Sequence, residues 1–136
     1  MVLPLLALLL FGIIESGSMF STYLRLHNMA REGARVAALG GTPDTIIAHA
    51  ESAGALDATK MRPDLSYRTY TEGSGWSEWS SLGTDGSCNN APVGAQVQVQ
   101  LEFDYRFIVG RLFRGLADDP QTGIKVLTTY VIMCRE

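Results

Sequence analysis

Apolar positions crowd the start of the chain. Residues 1–14, MVLPLLALLLFGII, hold no charged or strongly polar side chain, and after Glu15 the mixed apolar and small residues continue to Leu24 before Arg25. About 20 residues at about 1.5 Å rise each suffice to cross a bilayer, so the pattern predicts a transmembrane helix over 1–24. Pro4 falls in the first turn, where its missing N–H does least harm. A cleaved secretory signal would want a basic stretch before the apolar core and a small-residue cleavage site. Here the apolar run passes unbroken into an amphipathic segment. Tyr23, Leu26, Ala30, Gly33, Ala34, Ala37 and Ala38 recur at helical spacing, and Arg25, His27, Asn28, Arg31, Glu32 and Arg35 fill the other side. One long helix is predicted, with residues 25–41 outside the membrane and Gly40-Gly41 as its stop.

Beyond the glycines the period changes twice. Thr42-Pro43-Asp44 reads as a helix start, with Ile46, Ile47, Ala50 and Ala53 marking a buried face and Gly54 a stop. Residues 65–71 are aromatic and β-branched and read as a strand. The clearest strand covers 95–107, where Val97, Val99, Leu101, Phe103 and Tyr105 alternate with Gln96, Gln98, Gln100, Glu102 and Asp104. A third covers 124–134, with Ile124, Val126, Thr128, Tyr130, Ile132 and Cys134 on one face. Residues 72–92, rich in Gly, Ser and Asn, read as a long exposed loop, and 107–119 as a short helix or irregular crossover. The fold class predicted is α+β: a long helix from the membrane, a second short helix, and an antiparallel sheet of three or four strands in a domain over 42–136, with the small-residue stripe of the long helix covering the sheet.

Charge and chemistry narrow the function mainly by exclusion. The net charge of -3 and the scattered basic residues give no phosphate-neutralising face, which argues against nucleic acid. His27 and His49 lie on separate segments with no further ligands at metal spacing. Asp118-Asp119 before Pro120 reads as a turn, and no phosphate loop or nucleophile–base–acid motif is present, so no cofactor, small-molecule substrate or catalysis is expected. Glu15 at bilayer depth is costly, which leaves two readings: a register contact with a neighbouring helix, or a position at headgroup level. Cys88 and Cys134 allow a disulfide or two buried thiols, and export favours the bridge. Trp76 and Trp79 lie in a W-S-E-W-S run that matches a cytokine-receptor and thrombospondin-type pattern without the cysteine ladder or sandwich around it. They read either as packing residues of the loop or as an exposed contact surface.

The stretch 2–39 resembles the N-terminal signature of TadE-like proteins, carried by VLPLL, by FGIIE at 11–15, and by Asn28 with AREGAR at 30–35. The resemblance covers about a quarter of the chain well. It implies a pilin-like protein (pseudopilin or minor pilin) of the tight-adherence, type IVb pilus system, held in the bacterial inner membrane with a periplasmic C-terminal domain. Proteins of that kind carry a basic leader, cleaved by a prepilin peptidase, and a Glu five residues into the mature chain. No such Glu precedes Val2-Leu3-Pro4, and Glu15 is not its equivalent, so a truncated start or an unprocessed member is expected. Arg25, Arg31 and Arg35 follow the apolar segment, which taken literally puts the domain in the cytoplasm. The resemblance and the cysteine pair put it outside. The expected function is structural: other pilin-like subunits would pack on the helix through Glu15, Ala30, Gly33, Ala34 and Ala37. The alternative is a membrane-tethered binding module that uses the 76–90 loop.

Overall fold

The computed structural model describes residues 2–108, 115, 117–119 and 121–136. A 36-residue helix, α1 (Leu3–Ala38), opens the fold. It ends as the Gly-Gly pair dictates. Gly40 adopts φ +87°, its N–H reaches Ala37 O, and the Gly41 N–H reaches Val36 O at 2.9 Å. That double closure satisfies carbonyls the helix end would otherwise orphan. The next helix, α2 (Pro43–Gly54), starts at Thr42 in extended conformation with Pro43 in its first turn and Asp44 near its positive end. Ile46 and Ala50 are buried as expected, but Ala53 is exposed. Gly54 is needed for proximity: a Cβ there would lie 2.1 Å from Met29 Cγ and Sδ of α1.

A 3-10 turn (Ala58–Lys60) leads into the sheet strands β1 (Met61–Arg68), β4 (Ser80–Ser81), β7 (Gln96–Arg106) and β8 (Ile124–Cys134), ordered β4-β1-β7-β8 and antiparallel throughout. The fold is α+β. β1 begins four residues before the predicted start and runs through Pro63, which sits where β1 is still an edge because β4 pairs only with Ser66 and Tyr67. Val97, Val99, Leu101, Phe103 and Tyr105 of β7 point inward and form the core with Leu26, Met29, Ala30, Ala34, Ala37 and Ile46. On β8 the predicted set does share a face, but the outer one. Leu127 and Thr129 are buried while Tyr130 and Ile132 are exposed, because register pairs Ile132 with Gln98 and Tyr130 with Gln100 on the polar face of β7. The crossover expected at 107–119 lies largely outside the described residues, as does Pro120 of the expected turn.

The predicted long loop is more ordered than its composition suggests. It holds the hairpin β2 (Tyr70–Thr71) with β3 (Gly75–Trp76), the sheet strand β4, and the hairpin β5 (Thr84–Asp85) with β6 (Cys88–Asn89). Asn89, 1% exposed, explains why the segment closes onto the helices. Its amide donates to Ala37 O at 2.9 Å and Gly41 O at 3.0 Å, and its backbone N–H donates to Gly40 O. One buried side chain thus supplies donors to the carbonyl end of α1.

Candidate functional site

α1 has two faces that touch different things. On the inner face Glu15 is 3% exposed. Its carboxylate accepts the Tyr105 hydroxyl at 2.9 Å and the Ile108 N–H at 3.0 Å. The alternation of β7 turns Tyr105 inward at this level, and its ring stands edge-on to Phe107. Burial pushes the Tyr105 phenol above its ordinary pKa; a hydrogen bond to Ser18 opposes this, and the Glu15 hydrogen bond and charge add to it. The acid is therefore answered within the chain, by the far end of its own sheet.

The small residues also face inward. Ala30, Gly33, Ala34 and Ala37 are all buried. A Cβ on Gly33 would meet Val99 Cγ1 at 3.3 Å, Ala50 Cβ at 3.4 Å and Ile46 Cγ2 at 3.5 Å. The stripe covers the sheet as expected, and being enclosed in the chain's own core, where it lets β7 and α2 approach α1 together, it is not open to other chains as the packing expectation had it.

The outer face carries a pattern that sequence reading missed. Leu6, Leu10, Ile13, Gly17, Phe20 and Leu24 follow one another at alternating steps of four and three, on the side away from Glu15 and Leu26. The least exposed of the five large residues is Leu24, at 47%. A Cβ on Gly17 would find nothing within 4 Å. These steps average 3.6 residues, the turn of the helix itself, so the row keeps to one face of α1 along its length. In residues 2–14 nearly every position is apolar, so periodicity alone did not single out this line.

The remaining predicted residues lie elsewhere. Cys88 and Cys134 are free and exposed, so the expected disulfide is not formed. Strand alternation puts Cys134 on the β8 face of Tyr130 and Ile132, whereas Cys88 Cβ lies near Gly40, beside the Arg135 guanidinium. His27 Nδ1 is 3.0 Å from Thr129 Oγ1. Trp76 and Trp79 both lie against Arg68, whose Cζ is 4.9 Å and 4.6 Å from the two ring centroids.

The model of the family described as TadE-like protein matches residues 1–35. The likeness covers the first quarter of the chain. No curated protein and no solved structure matches the chain. The TadE-like segment contains the outer seam, Glu15, and Ala30, Gly33 and Ala34, but none of the strands that carry Trp76, Trp79, Cys88 and Cys134. Among the described residues, the helix it lies in is the one long and apolar enough to cross a membrane. The TadE-like match and this helix together fit a pilus-associated membrane protein.

Proposed function

We propose that the chain is a pilin-like structural subunit, anchored in the bacterial inner membrane by the start of α1, that joins other pilin-like subunits through the outer seam of that helix, with its α+β domain on the periplasmic side. The observation that carries this is the seam itself, read together with the Glu15 contact. Because Glu15 is fastened to Tyr105 and Ile108, the sheet runs alongside α1 down to that level. The outer sheet face bears Gln98, Gln100, Glu102 and the Arg62–Asp104 pair, which hydrocarbon would penalise. A water boundary near Glu15 suits that polar sheet face; the apolar residues from Leu3 to Ile14 then rise about 18 Å, part of the way across a hydrocarbon core of about 30 Å. Phe20 and Leu24 then stand above the bilayer as exposed apolar side chains, a patch that calls for a protein neighbour. Gly17, between Ile13 and Phe20, leaves room for a partner backbone to come close.

Cross-linking tests this directly. Single cysteines at Gly17 and Phe20, in full-length chain with Cys88 and Cys134 replaced by Ser, should cross-link to a partner subunit in native membranes. A cysteine at exposed Ser52 of α2 should not. Equal cross-linking at all three positions, or none at the seam, would overturn the assembly reading.

A further inference from the structure

The end of the sheet farthest from the membrane carries an arginine in an unusual setting. Arg68 closes β1, opposite Gln96 at the start of β7, while Glu15 meets Tyr105 near the other end of that strand. At about 3.3 Å per residue, these ends are roughly 30 Å apart. The Arg68 guanidinium lies against the rings of both Trp76 and Trp79. A guanidinium donates hydrogen bonds only in its plane, so a ring lying over it leaves its edge open for bonding. Part of that edge is used: Nε donates to Gln96 Oε1 at 2.9 Å. Among the described residues, Nη1 and Nη2 have no hydrogen-bond partner and no carboxylate pairs with the group. Arg62 and Arg35, by contrast, hold Asp104 and Glu32. Arg68 is a positioned fork without an anion.

The surroundings say which anion. Tyr70, 60% exposed, stands edge-on to Trp76 with centroids 5.3 Å apart, and both tryptophans are themselves exposed. Open ring surface beside a carboxylate-binding fork suits a ligand that is both anionic and flat-faced. A peptide carboxylate is the poorer fit, because an aliphatic Asp or Glu side chain answers the fork but offers no flat face to the exposed rings. A lipid phosphate is excluded by the distance from the membrane end. We infer that Arg68, Trp76, Trp79 and Tyr70 form a binding site for a carboxylate-bearing sugar, with the uronate on Nη1 and Nη2 and the pyranose face against the exposed rings. This stands apart from the assembly reading: the site is on the domain, not on α1.

The sequence contains two tryptophans, both in this site, so intrinsic fluorescence reports it alone. Full-length chain in detergent micelles should show a saturable change in tryptophan emission with oligogalacturonate, at fixed ionic strength, and none with a neutral maltooligosaccharide or an oligoglutamate. Arg68→Gln should weaken binding about tenfold or more, since charge-assisted bidentate contacts are lost. Tyr70→Ala, outside the stack itself, should weaken binding by a smaller factor while leaving the circular dichroism spectrum unchanged, which guards against a misfolded Arg68 variant. Absence of a saturable response, equal responses to all three probes, or full affinity in both variants would overturn the proposal.

Discussion

The two faces of α1 differ in kind although they share one helix. The inner face is built from small side chains, Ala30, Gly33, Ala34 and Ala37, and is fully enclosed. The outer face is built from large ones, Leu6, Leu10, Ile13, Phe20 and Leu24, and is open. The inner face is not small throughout, since Leu26 and Met29 are also fully buried there. Small residues are what close backbone approach needs, and the domain has used that approach to bring α1 onto its own sheet. Large residues left outside are what a second helix needs in order to gain from packing. Small-residue stripes therefore mark tight contact without saying with whom.

Substitutions should separate the faces by kind of effect. The largest loss of stability is expected for Gly33→Leu, since a Cβ there already crowds Val99 and touches Ala50 and Ile46, leaving no room for the rest of the side chain. Overpacking of this sort costs roughly 3 kcal/mol, measured as a shift in urea midpoint followed by tryptophan fluorescence. Next comes Glu15→Ala, which leaves the Tyr105 hydroxyl and the Ile108 N–H without their acceptor and should cost about 2 kcal/mol. Hydrogen exchange at Ile108 should speed up, and Glu15→Gln, which keeps an acceptor, should cost less. Asn89→Ala removes donors to Ala37 O and Gly41 O and should cost about 1–2 kcal/mol, with faster exchange at the end of α1. Phe20→Ala should change stability by less than about 0.5 kcal/mol, because the ring touches little within the subunit. Its effect belongs to assembly, read as reduced co-purification of partner subunits. If Phe20→Ala unfolds the domain, the contrast between the faces is wrong.

A pH titration sharpens the inner face further. The Tyr105 phenol has its folded-state pKa raised, chiefly by burial. Its contribution to stability is therefore fully present below the ordinary tyrosine value of about 10 and is lost as pH rises through the higher folded value. Alkaline unfolding should begin in that window, and Tyr105→Phe should move its onset upward.

Where the sequence was legible, one residue-level signal had one structural meaning. Gly40-Gly41, Thr42-Pro43 and the alternation in β7 each allowed a single local solution, and all three are found. Strand β8 was legible as a strand but not in its facing, since Leu127, Thr129, Val131 and Met133 alternate as well as the set that was chosen. Which set turns inward depends on the register with β7, a long-range fact. The Glu15 partners were hidden for the same reason, being ninety and ninety-three residues away in the chain. The disulfide expectation rested on compartment and count, neither of which sets the direction of a side chain.

The unbroken α1 has a mechanical consequence. The helix is roughly 54 Å long at 1.5 Å per residue, and the sheet grips it at both ends of their contact, through Glu15 below and through the Glu136 N–H on Ala38 O above. No hinge separates the membrane end from the domain. An axial push or pull on the apolar end is therefore delivered to the far tip of the sheet with little lost in bending, as by a piston rod, and the chain translates as one body instead of trailing its domain on a tether.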